Sequence, residues 1–329
     1  MRFIDKEQID AALSYPSLVD ILARAFCDGA IAPPRHHHSI ALADRPDATW
    51  LLMPAITAAK SAIGATVAGP YMGMKSVTVF PDNRARSGKP AIHGMYLLLS
   101  TETGDTLAIL DATRLTVWRT AAASALASRA LARPETSRML MVGAGALSPF
   151  LIRAHASVRP IREVAVWNRT RANAERLAAE FAGSGLDVRV TDDLAAAAKR
   201  ADLISTATIS QVPLIRGAWL QPGTHVDSVG AFRADLRETD DDLVAGARVF
   251  ADTYEGAFAE AGDIMQPLRA GRITKDHVLG DLAALAAGKV AGRASPSDIT
   301  FFKSVGASIE DLAAAIAVYE HVAGAARQN

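Results

Sequence analysis

The chain has 329 residues but a single cysteine, Cys27, so it cannot close an internal disulfide. Neither sign of charge is in excess. Lys plus Arg and Asp plus Glu both number 35, which removes the electrostatic argument for nucleic acid or an anionic membrane and points to small-molecule partners. No stretch approaches the roughly 18 uninterrupted apolar residues of a membrane span, so the alanine-rich segments read as packed helices. The opening MRFIDKEQID has neither a basic n-region nor an apolar h-region, and together with the lone cysteine this makes a reducing cytoplasm the expected location. Internal repeats and low-complexity tails are also lacking. What is present is an apolar content of 50% against 21% charged, enough to bury a substantial core and to suggest two domains of ordinary size.

The first third of the sequence mixes a helix, about Tyr15 to Cys27, with strand-like runs at TWLLMPAI, MKSVTVF and MYLLLSTETGDTLAILD. The last run reads as a hairpin, because TETGD places Gly104 and Asp105 between two apolar segments. An alanine-rich helix, about Leu115 to Ala132, follows and is interrupted by Pro134. From Arg138 short apolar strands alternate with helical segments: RMLMVGAG, EVAVWNR, VRVTDD, DLISTAT, THVDSVG and RVFADT. That rhythm predicts a parallel sheet covered by helices. The chain closes with SDITFFKSVG and a long amphipathic helix, ASIEDLAAAIAVYEHVAGAA, which has no strand partner in the central unit. A return to the first domain is the expected place for it.

The most specific local signal is MLMVGAGALSPF, an apolar strand running into Gly143, Ala144, Gly145, Ala146 and Leu147 before a helix. Gly143 permits the tight turn. Gly145 removes a side chain where backbone must approach a pyrophosphate at the helix N-terminus, whose free amides and dipole favour anions. Ser148 takes the third glycine position of G-x-G-x-x-G, and Pro149 is tolerated in a first helical turn. The next strand ends in VWNRTR, residues 166–171, where an acid would accept the adenosine ribose hydroxyls of NAD. Here stand Asn168, Arg169, Thr170 and Arg171. A neutral side chain followed by guanidinium forks suits the extra phosphate of NADP. NADPH is therefore the expected cofactor, with NADH weaker, and the competing reading is that the two arginines are solvated charges opening the next helix. Thr206, Ala207, Thr208, Val229 and Gly230 complete the expected cofactor-binding set.

These segments carry a family resemblance. GAGALSP, VWNRT, LDATRLTVWRTAAAS and VGAFRADLRETDDDLV occur in this order over nearly the whole chain, and the most specific pieces are RTAAAS and the G-x-x-x-x-D-x-R-E-x-D pattern from Gly230 to Asp240. The sequence resembles the ornithine cyclodeaminase and mu-crystallin family. The resemblance implies a Rossmann-type doubly wound parallel sheet, residues 116–305, that binds NADP(H). It also implies a discontinuous α+β substrate-binding and dimerisation domain, residues 1–115 with 306–329, in a homodimer. Three basic residues, Arg35, Lys75 and Arg119, are implied to hold the substrate carboxylate, with Lys75 and Arg119 as catalytic residues. A lone arginine among small apolar residues is costly to bury unless an anion pairs with it, which favours Arg119. The alternative is that all three make structural ion pairs.

Cyclodeaminases of the resembled family place an acid/base aspartate two residues after the glycine matching Gly230, where this chain has Phe232. A phenyl ring cannot move protons, so Phe232 is expected to wall the substrate pocket and the chemistry to be simple reduction. The expected function is NADPH-dependent reduction of Δ1-pyrroline-2-carboxylate to L-proline, with Δ1-piperideine-2-carboxylate, giving L-pipecolate, as a second substrate. Ornithine cyclodeamination, an alanine-type dehydrogenase and a noncatalytic, crystallin-like binding protein are the alternatives. Asp235 is expected to lead a helix or serve structure. His36, His37 and His38 invite a metal reading, but only two of three consecutive strand residues share a face and no acid completes a site, so no metal is expected and a loop or pocket edge is the expected role. Asp240, Asp241 and Asp242 precede LVAGA, where carboxylates complement a helix dipole. Asp252 follows RVFA at a strand's C-terminal end, where it is expected to shape the active site.

Overall fold

The computed structural model describes residues 1–57 and 71–328. The chain divides into two compact units, Met1–Arg119 with Ser308–Asn329, and Thr120–Ala307.

In chain order the first unit contains β1 (Arg2–Ile4), α1 (Lys6–Ala12), α2 (Tyr15–Asp28), β2 (Ala30–Ile31), β3 (His36–Ile40), β4 (Ala48–Thr57), β5 (Tyr71–Val79), α3 (Asn83–Ser87), β6 (Ile92–Ser100), β7 (Thr106–Asp111) and the start of α4 (Ala112–Leu131). Its sheet runs β1-β7-β6-β5-β4-β2, with β3 also on β4. All pairs are antiparallel except β1 with β7. The β6–β7 hairpin turns at Gly104, whose φ of 75° is open to glycine at little steric cost. Helix α4 starts three residues before the sequence pattern indicates, because the Asp111 carboxylate accepts from the Arg114 amide at 2.9 Å and caps it. His36, His37 and His38 lie on strand β3 rather than in a loop, paired with Leu52, Leu51 and Trp50.

The second unit holds β8 (Arg138–Val142), α5 (Ser148–Val158), β9 (Glu163–Trp167), α6 (Arg171–Ala179), β10 (Asp187–Val190), α7 (Leu194–Arg200), β11 (Leu203–Thr206), β12 (His225–Ser228), α8 (Asp241–Gly246), β13 (Arg248–Ala251), α9 (Tyr254–Ala259), α10 (Gly262–Arg269), β14 (Val278–Asp281), α11 (Leu282–Ala286) and β15 (Thr300–Lys303). The six strands read from the sequence are all present. The sheet is wholly parallel, in the order β10-β9-β8-β11-β12-β15-β13-β14. The chain winds outward from β8 through β9 and β10, then returns to the other side of β8 with β11 and β12. Right-handed crossovers running in opposite directions place helices on opposite faces, which makes the sheet doubly wound and puts its switch point between β8 and β11. Its strands are buried on both faces: β8, β11, β12, β13 and β15 carry almost no exposed residue.

The last helix, α12 (Ser308–Gln328), belongs to the first unit. Ile309, Leu312, Ala313, Ala314, Ala315, Ile316 and Val318 are all buried, so the first half of the helix is enclosed on several sides, while Glu320 and His321 further along are exposed. No helix among the described residues is long and apolar enough to cross a membrane.

Two glycines distinguish fold from ligand room. A Cβ on Gly230 would be driven into the backbone of Thr208 and to 2.6 Å from the Glu238 carboxylate, whereas one on Gly145 would meet nothing within 4 Å. Gly230→Ala is therefore expected to lower the unfolding free energy by about 1–3 kcal/mol, and Gly145→Ala to leave it unchanged, in urea denaturation of the two variants beside the wild type.

Candidate active site

Each unit carries its own cluster of functional groups. In the first, Lys75 sits mid-strand on β5, opposite Met53 of β4 and Tyr96 of β6, and is 3% exposed. Arg119 of α4 is 4% exposed. Burying two cations needs anions, and α12 supplies them in its first turn. Arg119 Nε donates to Asp311 Oδ1 at 2.9 Å and Nη1 to Glu310 Oε2 at 2.6 Å. The other oxygen of Asp311 lies 2.7 Å from Lys75 Nζ. One carboxylate thus bridges both cations. Burial and the Arg119 charge push the Lys75 ammonium down to about 8 from an ordinary 10.5, against the opposing pull of Asp311. Burial also works against charge on Arg119, yet Asp311 and Glu310 together raise its pKa above the ordinary value.

Arg35, half-buried just ahead of β3, adds to the positive field that depresses Lys75. Arg35 and Arg119 are therefore both within electrostatic reach of Lys75. The ammonium has three donors and one ion contact, and Arg119 Nη2 carries no hydrogen bond among the described residues. Those donors can take a further carboxylate. Beside them the Tyr96 hydroxyl is buried without a partner, its ring lying across Gly73, and burial together with Asp311 raises its pKa. Glu310 and Asp311 escaped the sequence reading. As acids in a helix's first turn they look like dipole complements, and the only local sign of another role is the apolar sequence on both sides of them.

In the second unit, Gly143 ends β8 with φ of 109°, and a Cβ there would come within 2.7 Å of the Ala207 carbonyl oxygen. The backbone can follow this path only as glycine. Ser148 does more than fit the third glycine position: its Oγ donates to Gly143 O at 3.0 Å and accepts from Gly145 N at 3.1 Å, bracing the loop. Ala144, Gly145, Ala146 and Leu147 remain at least partly exposed ahead of α5. A loop so braced, with an open Gly145 at a helix N-terminus, fits a pyrophosphate. Asn168 turns its Oδ1 to the Ala144 amide at 3.2 Å and its Nδ2 to Thr170 O at 2.8 Å. Arg169 is exposed and makes no hydrogen bond or ion pair among the described residues, whereas Arg171 is held by Glu175 at 2.8 Å and by Asp192. Of the two guanidinium groups, Arg169 is the one with its donors open. Thr206, Thr208, Val229 and Gly230 lie at the tips of β11 and β12 around the buried Glu238, which the sequence reading also missed; Ala207 sits half-exposed between the threonines.

Phe232 lies just past the β12 tip and is 40% exposed. Asp235 leads no helix and pairs with Arg233 at 2.7 Å. Asp240 caps α8, accepting from Leu243 N at 2.9 Å, with Asp241 and Asp242 in the first turn. Asp252, expected to shape the active site, spends its carboxylate on the amides of Thr253, Val305 and Gly306 and the Ser304 hydroxyl. His36 and His38 share a face with ring centroids 6.4 Å apart, but among the described residues no group of His, Cys, Asp or Glu is placed to hold a metal ion.

A sequence profile of the ornithine cyclodeaminase/mu-crystallin family matches residues 34–326. A Δ1-pyrroline-2-carboxylate reductase of Paracoccus denitrificans is 41% identical over 261 residues, 79% of this chain and 82% of that protein. Among solved structures, the chain is similar to a Thermococcus litoralis Δ1-pyrroline-2-carboxylate reductase in complex with NADH and L-proline, with TM-score 0.90, 29% identity and coverage of 99% of this chain and 98% of that one. An archaeal alanine dehydrogenase dimer with bound NAD gives TM-score 0.88 at 27% identity, covering 99% and 97%.

The bridging role of Asp311 has a measurable consequence. Asp311→Ala leaves Lys75 facing Arg119 without their shared anion and is expected to lower the unfolding free energy by about 3–5 kcal/mol. Adding Lys75→Met removes one of the stranded charges and should recover part of that loss in the same denaturation series.

Proposed function

The chain belongs to the ornithine cyclodeaminase/mu-crystallin family, and on that basis we propose that it is an NADPH-dependent reductase of cyclic imino acids. Its substrate is Δ1-pyrroline-2-carboxylate, reduced to L-proline, with Δ1-piperideine-2-carboxylate, reduced to L-pipecolate, as a second. The observation that carries this reading is the buried pair Lys75 and Arg119, fixed by one carboxylate yet retaining donors for another. An imine beside a carboxylate is the ligand such a pair can hold by its anionic end while leaving the C=N carbon free.

The roles divide as follows. Lys75 and Arg119, with Arg35, bind and orient the carboxylate. The loop from Gly143 to Leu147 holds the cofactor pyrophosphate, with Asn168, Arg169, Thr170 and Arg171 at the adenosine end and the tips at Thr206–Thr208 and Val229–Gly230 beneath the other half. The cofactor, when bound, supplies hydride. A ring nitrogen that arrives protonated needs no base, so Phe232 can serve as an apolar wall where a cyclodeaminase needs a proton carrier. A homodimer and a cytoplasmic location belong to the same proposal. In its support, Trp50, Ile92 and Met95 leave large apolar side chains exposed on the first unit's sheet, and Cys27 is a free, exposed thiol.

The deciding assay follows cofactor oxidation with five- and six-membered imines, alongside ornithine with NAD and a readout of ammonia and proline. Steady NADPH consumption with both imines is expected, since one methylene alters pocket affinity by only about 1–3 kcal/mol. No turnover of ornithine is expected, and robust ornithine turnover with idle imines would overturn the reading, as would binding without turnover. In the same assay Arg169→Ala should move the NADPH to NADH ratio of kcat/KM toward NADH.

Lys75→Met is a cleaner probe of the anion site than any change at Arg119, because Asp311 keeps its guanidinium partner. The folded variant should lose about 2–5 kcal/mol of kcat/KM with NADPH affinity intact. Lys75 is cationic below about 8 and neutral above it, so wild-type affinity for L-proline should fall as pH rises through that value. The fall should be absent in Lys75→Met.

A further inference from the structure

Parallel strands β11 and β12 pair up to Thr206 and Ser228, and one further bond, Val229 N to Thr206 O at 2.9 Å, ends the ladder. Beyond it the amides of Thr208 and Gly230 have no strand to pair with, and a buried amide must find an acceptor. Glu238, fully buried, provides one for both. Its Oε1 accepts from Thr208 N at 2.6 Å and Thr208 Oγ1 at 2.7 Å, and its Oε2 accepts from Thr206 Oγ1 at 2.7 Å and Gly230 N at 2.8 Å. One carboxylate therefore ties the two strand tips together.

The clamp is itself held. Asp263 Oδ1 accepts from the amides of Glu238 and Thr239 at 2.8 and 2.9 Å and from Thr239 Oγ1 at 2.8 Å. Lys303 Nζ lies 3.2 Å from Asp263 Oδ2 and donates to Ser228 Oγ at 3.1 Å. The single Ser228 proton is contested by Asp263 at 3.0 Å and Glu238 at 3.3 Å. All of these groups are buried away from solvent, where interlocking hydrogen bonds restrict the geometry the network can take.

The clamp acts on one half of the crevice. The adenosine side is built by the Gly143 loop and Asn168, just past the ends of β8 and β9; their hydrogen bonds do not involve Glu238, and Gly143 meets the tied β11 tip by packing against Ala207. The tips that Glu238 ties lie across the switch point, where the second mononucleotide half of a dinucleotide rests. We propose that Glu238 is a positioning residue for the nicotinamide half of the cofactor, acting through the β11 and β12 tips and leaving the adenosine half untouched. This rests on the reading of the second unit as the cofactor-binding unit.

Glu238→Gln tests it. The amide keeps one oxygen, but its NH2 must then face the amide of Thr208 or Gly230, and a backbone N–H cannot reverse to accept. The affinities of NADPH and NADH, titrated by fluorescence, are compared with those of 2′,5′-ADP and 5′-AMP, which report the adenosine half alone, titrated by calorimetry. A loss of about tenfold or more for the dinucleotides is expected, with the adenosine fragments unchanged and a cooperative melt retained. Equal losses for dinucleotide and fragment would mean general damage to the unit and would overturn the proposal, as would unchanged dinucleotide binding. Should Glu238→Gln fail to fold, Thr208→Val, which removes one donor to Oε1, carries the same comparison with a smaller split. A wild-type protein that bound neither dinucleotide nor fragment would instead defeat the cofactor reading itself.

Discussion

Burying charge is the constraint around which the first unit is organised. Lys75 on a central strand and Arg119 on a helix are both withdrawn from water, and neither could stay charged there alone. Asp311, about 190 residues further along the chain than Arg119, satisfies both with its two oxygens, and Glu310 holds the guanidinium from a second direction. The terminal helix therefore completes this buried charge cluster as well as the core. Cations fixed in this way would keep their positions if a further carboxylate were to join them, the condition the proposed substrate site needs.

The second unit solves a different problem with the same means. A wholly parallel sheet has no hairpins to close its strand ends, and where the order reverses the tips part to leave a crevice. Each tip is then braced by a side chain: Ser148 behind the Gly143 loop, Asn168 on the Ala144 amide, and Glu238 between β11 and β12. Elsewhere under the sheet a buried chain runs from Ser128 Oγ to His155 Nδ1 at 2.9 Å and from His155 Nε2 to Asp227 Oδ2 at 3.0 Å. Its order of groups is that of a hydrolytic triad. All three are buried, and Asp227 also accepts from Ser205, so the chain is an internal polar brace that no substrate reaches.

Much of this was legible in the residues. Alternation of short apolar runs with helical segments marked six strands of the parallel sheet, and Gly143 and Gly145 marked the loop, because strand burial and positive φ leave local traces. Three-residue β1 left none, being too short to show a period, and pairs with β7 only because the fold carries it there. The triple histidine misled for a related reason: its strand lies at the sheet's margin with mostly exposed side chains, so no apolar alternation announces it.

What the sequence by itself determined is therefore local: the parallel architecture, the glycine path, and the neutral residue with arginines in place of an acid at Asn168. Tertiary structure decided which charges meet. Glu310 and Asp311 carry no distinguishing mark in the sequence of the last helix, and Glu238 stands there only within the pattern from Gly230 to Asp240; folding sets them against Lys75, Arg119 and the strand tips. A side chain's period is written in its neighbours along the chain. The partner of a buried charge is chosen by whatever the fold brings within about 3 Å, and that distance has no counterpart in sequence separation.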